Sequence, residues 1–312
     1  MKPYDLTGKR ILVTGASSGI GEEFAHEFYD MGYSLVMVSQ TSEKLISLKN
    51  RLEKINAARR NKYQKKVSRK QEDPASSVDE TESAVNNETA GTGKLNRSAK
   101  AQRIEIIAAD LGDAAGMETA AGKIKALFDD PENLPAILIN SAGFGAVGDF
   151  SNISIEKQEA MIDVNVKGLV YLTYQLLPLM EKAGGGRILN VASSAGFFPG
   201  GPYMTIYYAT KAFVLSFTNG LRQELKEKSS PVKISALCPG PVNTPFNARA
   251  NVRNALPGIS AKHCVRAAIS GMKHDKAVIV PGISIKAAEL GAKILPAGAI
   301  IPMVSHQQKK KI

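Results

Sequence analysis

The sequence predicts an α/β domain, doubly wound, with a mostly parallel sheet covered by helices on both faces. Three observations carry that prediction. Short apolar runs alternate with longer segments of helical period from residue 10 to residue 280. The runs are continuously apolar, as strands buried on both faces are, instead of alternating with polar residues. A glycine-rich turn also stands between the first run and the first helical segment. Alternation sustained this long requires parallel strands joined by crossover helices.

The elements follow in order. Arg10–Thr14 reads as the first strand and Ile20–Met31 as the first helix. Leu35–Val38 is a second strand, and a helix starts near Ser42 with Leu45, Leu48, Leu52 and Ile55 along one face. The apolar period stops at about Ala57. Residues 57–102 are polar and charge-segregated, with seven basic residues between Arg59 and Lys70 and six acids between Glu72 and Glu88. They read as an insertion in a single domain of residues 1–282, with 71–100 expected as a disordered or mobile surface excursion. The alternation then resumes with strand Ile104–Ala108, helix Ala114–Phe128, strand Ile137–Ile139 and helix Glu156–Lys182. Strand Ile188–Val191, helix Ile206–Lys228, strand Lys233–Leu237, helix Ala261–Lys273 and strand Ala277–Val280 complete it.

Residues 283–312 form an apolar extension with a basic end. Pro296, Pro302 and three charged residues between Ile283 and Val304 argue against a membrane-spanning helix. Two readings stand: an amphipathic segment in peripheral contact with an anionic membrane, or a cap on the substrate cleft or an oligomer interface.

Charge and cysteine content narrow the classes. The chain carries a formal +11, of which residues 57–102 supply +4 and the last four residues three more. The remaining body is modestly basic, which suits an anionic cofactor and predicts no nucleic-acid partner. Two cysteines, four scattered histidines and the lack of a secretory signal point to a cytoplasmic protein with no disulfide framework and no metal.

The turn is Thr14-Gly15-Ala16-Ser17-Ser18-Gly19-Ile20-Gly21. Glycine lets the backbone turn tightly and approach a pyrophosphate, which the N–H groups and the positive end of the following helix then face. The tip of the second strand selects the adenosine ribose. Here it is Ser39, Gln40 and Thr41, followed by Lys44, with no acid to repel a 2′-phosphate. NADP is therefore the expected cofactor, with NAD less favoured. Asp110 and Leu111 follow the third strand, where the carboxylate can hydrogen-bond an adenine amino group. Asn140, Ala142 and Gly143 follow the fourth, beside the cofactor crevice.

Tyr207 and Lys211 lie four residues apart on a predicted helix and share a face. A free tyrosine titrates near ~10, and a nearby ammonium favours its phenolate. Ser193, after the fifth strand, can hydrogen-bond a substrate oxygen. The trio suits ketone–alcohol interconversion, with Tyr207 exchanging the proton. Tyr208, three residues from Lys211, is a rival for that role.

These motifs, with Pro239-Gly240-Pro241-Val242-Asn243-Thr244, resemble the short-chain dehydrogenase/reductase family over residues 8–282 apart from the insertion. The resemblance implies a seven-stranded Rossmann sheet and a homo-oligomer, commonly a dimer or tetramer. It implies that Asn165 joins Ser193, Tyr207 and Lys211 through a water in a proton relay, and that Lys211 also binds the nicotinamide ribose. It further implies that Pro239, Gly240, Val242 and Thr244 contact the nicotinamide end. Ser141 departs from the family's usual asparagine.

Phe246, Leu256 and Ile259 in a lid between Thr244 and Ser260, with Phe197, Phe198, Pro199, Tyr203 and Met204, predict an apolar pocket. It suits an extended 3-oxoacyl, steroid or sphingoid ketone. The alternative reading is a non-catalytic nucleotide-binding or membrane-associated regulator on the same fold.

Overall fold

The computed structural model describes residues 9–72, 102–129 and 134–312. Seven strands, β1 (Arg10–Thr14), β2 (Ser34–Ser39), β3 (Ile104–Ala108), β4 (Pro135–Asn140), β5 (Gly186–Val191), β6 (Val232–Leu237) and β9 (Val278–Ile279), form one sheet. Its order is β3-β2-β1-β4-β5-β6-β9, and every pairing is parallel. A second, two-stranded sheet pairs β7 (Val242–Asn243) with β8 (Ile259–Ser260) across the predicted lid. The strand order reverses between β1 and β4, and in open α/β sheets ligands bind beyond the carboxyl ends of the strands at that reversal.

The continuously apolar strands feed two cores. Ile11 and Val13 of β1 face one side, packing with Phe24 and Phe28 of α1 (Gly19–Asp30), Leu45, Leu48 and Leu52 of α2 (Ser42–Glu72), and Val265 of α8 (Ala261–Lys273). Leu12 faces the other, with Ile124 of α3 (Ala114–Lys125) and Leu172, Leu176 and Met180 of α5 (Leu169–Lys182). Fully burying side chains of this size contributes about 1.5–3 kcal/mol each. Both cysteines are free and buried.

Two expectations need correction. Helix α2 does not stop near Ala57 but runs to Glu72. Its second half shows no apolar period in sequence, but Arg, Lys and Gln are good helix formers by intrinsic propensity. The expected excursion 71–100 falls almost wholly outside the described residues. The predicted helix Glu156–Lys182 is three elements: α4 (Ile155–Ile162), a π segment (Asp163–Gly168) and α5. The insertion's boundary is marked by Gln102. Its amide accepts from Asn56 Nδ2 (2.6 Å) and donates to the Tyr29 carbonyl (2.7 Å), so the chain leaves and rejoins the body at neighbouring points.

The 283–312 extension folds as α9 (Ile283–Ile294) and α10 (Ala297–Lys309). Ile300 and Val304 of α10 pack with Tyr208 of α6 (Thr205–Glu227) and with Met204, which precedes that helix. The Lys311 carbonyl accepts from the Arg253 N–H (2.9 Å), and the Lys310 carbonyl accepts from Asn254 Nδ2 (3.0 Å). The extension therefore packs against the body and is tied to the lid.

Candidate active site

The turn after β1 takes the shape its glycines were expected to permit. Gly15 has φ 64°, and a Cβ there would lie 2.8 Å from the Ala142 backbone. Gly19 has φ 62° and faces the Thr244 side chain, where a Cβ would stand 3.3 Å from Thr244 Cβ. Both positions combine left-handed backbone with close approach, so only glycine fits without strain. Gly21 is buried in the first turn of α1 against the Gly15 carbonyl. Ser18 is the N-cap of α1 but makes no side-chain cap, and Ile20 follows it in the first turn. The first-turn N–H groups have no intrahelical partner and point at whatever lies over the turn. That cradle fits a dinucleotide pyrophosphate.

The side chain of Thr14 works internally. It is buried, and its hydroxyl accepts from the Ser141 and Ala142 N–H groups (3.0 and 3.1 Å), tying β1 to the loop after β4. Asn140 is also turned inward. Its amide donates to Thr173 (3.2 Å) and Asn190 (2.9 Å), and Asn190 donates to Thr218 (2.9 Å). This polar network inside the sheet leaves Asn140 Oδ1 buried without a protein partner. The side chains of Thr14 and Asn140 thus shape the crevice from behind instead of facing a ligand. Gly143, by contrast, is exposed, and its backbone approaches Asn165 and Lys211.

At the adenosine side, Ser39 donates to Ser17 (2.7 Å), bringing the two hydroxyls together. The Gln40 amide donates to Asp110 (2.7 Å), whose other oxygen accepts from the Gly112 N–H (2.8 Å). Leu111 is buried, while Gln40 and Lys44 are exposed near half-buried Thr41. Pro239 is buried, and its carbonyl accepts from the Ser194 N–H (2.8 Å). Gly240 lies beneath Ile285 of α9. Val242 in β7 and Thr244 continue the chain back over the glycine turn.

The four expected chemical groups converge. The Ser193 hydroxyl hydrogen-bonds Tyr207. Lys211 Nζ lies 5.8 Å from the centre of the Tyr207 ring and donates to the Val191 carbonyl (2.8 Å). Asn165 sits in the π segment, which turns its amide inward. There it accepts from the Phe144 N–H (3.0 Å) and donates to the Phe144 carbonyl (2.9 Å) and Thr210 (3.1 Å). Its oxygen is 2.7 Å, and Lys211 Nζ 3.6 Å, from where a Cβ on Gly143 would stand.

Burial sets the electrostatics. It pushes the Tyr207 phenol up to about 12, opposed by the Ser193 hydrogen bond. It pulls Lys211 down to about 8 because an ammonium loses hydration there. Tyr208 is a different environment. Its hydroxyl accepts from Gln308 of α10 (2.6 Å), and its ring is buried beside Phe198. Tyr207 alone of the two faces Ser193, Lys211 and the lid residue Phe246, whose ring centre is 5.4 Å away. Gln308, Thr210 and the Phe144 backbone were not singled out from sequence. Gln308 is a hundred residues from its partner, and no local spacing marks such a pair.

A family model for the short chain dehydrogenase matches residues 9–86 and 82–255. The chain is 30% identical to oxidoreductase UcpA of Salmonella typhimurium over 241 residues, 77% of this chain and 72% of that one. It is similar in structure to a short-chain dehydrogenase from Sphingobium yanoikuyae in complex with NADPH (TM-score 0.66, 27% identity, 92% and 96% of the two chains). It is also similar to the bulky-bulky ketone specific alcohol dehydrogenase from Comamonas testosteroni (TM-score 0.62, 26% identity, 92% and 95%). The chain belongs to the short-chain dehydrogenase/reductase family of NAD(P)-dependent oxidoreductases.

Proposed function

We propose that this chain interconverts a ketone and a secondary alcohol on an extended apolar substrate, preferring NADP(H), with Tyr207 as the acid–base group. The observation that carries the reading is the convergence of Ser193, Tyr207, Lys211 and Asn165 at the carboxyl end of the sheet.

In this reading the cofactor, held over the Gly15–Gly21 turn, supplies or takes the hydride. The chain's own residues manage the proton. Ser193 hydrogen-bonds the substrate oxygen and orients it to Tyr207. In reduction Tyr207 donates its phenolic proton to that oxygen, and Lys211 stabilises the phenolate left behind. Asn165 acts by holding the Phe144 backbone and the Lys211 neighbourhood in register. Phe246 on the lid, with Phe198 and Met204, favours an apolar substrate body.

The NADP preference is supported by the tip of β2, where Ser39, Gln40 and Thr41 offer donors and Lys44 a cation. The NADPH held by the Sphingobium relative agrees with it. Asp110, the nearby acid, is engaged by Gln40 and Gly112. A homo-oligomer is supported by exposed aromatic surface on α5 and α6, where Tyr174 stands out and Phe213 stacks on Phe217.

The test is cofactor oxidation with NADPH and NADH in parallel, across 3-oxoacyl, steroid and sphingoid ketones. The reading expects turnover with a bulky ketone and at least a tenfold advantage in kcat/KM for NADPH. Tight NADPH binding with no turnover on any ketone would favour the regulator instead.

A further inference from the structure

Helix α9 presents two unlike faces. Ile285 packs over Gly240 and Ala292 joins the cluster around Tyr208, so these residues bind the helix to the body. Ile283, Ala287, Leu290 and Ile294, spaced four, three and four residues apart, lie along the outer face. Ile283 is 86% exposed, Leu290 60% and Ile294 71%. The strip continues through exposed Leu295 and Pro296 into α10, where Met303 is 66% exposed. Large apolar side chains this exposed, and contiguous along one helix and its turn, mark a surface that meets something apolar.

The charges beside the strip identify the partner's chemistry. Lys276, Lys286 and Lys293 rim a groove of about 530 Å³ between α8, β9 and α9, with Leu290 in its wall. From residue 276 onward there are six lysines and a single acid, Glu289, which pairs with Lys293 (2.8 Å). A symmetric contact between two copies through this face would set lysines against lysines. An anionic bilayer surface would satisfy both features, taking the apolar strip at its acyl boundary and the lysines among its headgroups. No helix among the described residues is long and apolar enough to cross a membrane, so contact would be in the plane.

We propose that the outer face of α9 and the following turn dock on an anionic lipid bilayer. The test is co-sedimentation of the full chain with vesicles of phosphatidylcholine alone and of phosphatidylcholine mixed with phosphatidylserine. Binding to the mixed vesicles only, weakened by salt, is expected. Leu290→Glu/Ile294→Glu should lower the partition by about a hundredfold or more, and Lys286→Gln/Lys293→Gln by about tenfold. Both pairs are outside the candidate site, so an unchanged circular dichroism spectrum and melting temperature would show that folding is intact. Absence of binding to the mixed vesicles overturns the proposal, as does equal binding by the glutamate variant. If light scattering instead finds that the glutamate variant breaks a larger species of a chain that ignores vesicles, a second copy covers the face. Each outcome is read without turnover, so it is independent of the proposed reaction.

Discussion

Tyr207 and Tyr208 are adjacent in sequence and lie on one helix, yet their hydroxyls meet different partners. One meets Ser193, with Lys211 against its ring; the other is held by Gln308. A four-residue spacing favours Tyr207 from sequence, and the side-chain geometry agrees for the same reason: residues four apart stack on one helix face. The Lys211 pKa makes a testable statement at this scale. Burial lowers it to about 8, so the ammonium is intact below that pH and lost above it. If that charge supports the phenolate, reductive kcat/KM should be flat below about pH 8 and fall toward tenfold per unit above it, since kcat/KM reports the free enzyme. A profile flat to pH 10 would remove Lys211 from that role.

At the scale of elements, α10 is joined to α6 by Gln308 and Tyr208, both buried. Gln308→Leu leaves a buried phenol without its partner and should cost about 1–3 kcal/mol, read as a lower melting temperature. Adding Tyr208→Phe removes the orphan and should recover most of the loss. A double variant no better than the single one would mean that the hydrogen bond is incidental. This pair also shows where sequence reasoning stops. The strands were legible because burial on both faces leaves a continuous apolar run, as in Leu35–Val38 and Ile137–Ile139. The π segment was not, because nothing in Asp163–Gly168 (Asp-Val-Asn-Val-Lys-Gly) signals a change of helical register between the apolar runs on either side. Its register instead answers to Asn165 meeting the Phe144 backbone, a tertiary contact. Tyr207, Lys211 and the glycines were legible because their chemistry lies within one turn or one helix face, and Ser193 because it follows the fifth strand. Thr14 and Asn140 were expected from sequence to bind the cofactor, whereas their side chains bond within the protein. Which way their side chains turn depends on partners 33 to 128 residues away.

For the whole molecule, the insertion interrupts the sequence without interrupting the body. Asn56 and Gln102 meet across its base, and the sheet on either side of it is in unbroken register from Leu35↔Ile104 to Ser39↔Ala108. Replacing residues 58–100, the outer half of α2 included, by a short Gly/Ser linker should therefore keep turnover within about threefold and the melting temperature within a few degrees, because the Leu45, Leu48 and Leu52 anchors of α2 are kept and the cost of closing a linker depends weakly on its length. The same replacement removes four of the eleven net positive charges, all far from the site in sequence. Loss of turnover in that variant would show that the segment contributes to the site.

The most direct test of the central claim compares Tyr207→Phe with Tyr208→Phe, measuring NADPH binding by fluorescence and ketone reduction by NADPH consumption. The account predicts that Tyr207→Phe binds NADPH as the parent does and loses reduction by about 10²–10⁴-fold. Tyr208→Phe should reduce ketones within about threefold of the parent, at a lower melting temperature. Undiminished reduction by Tyr207→Phe, or collapse of reduction in Tyr208→Phe alone, would contradict it.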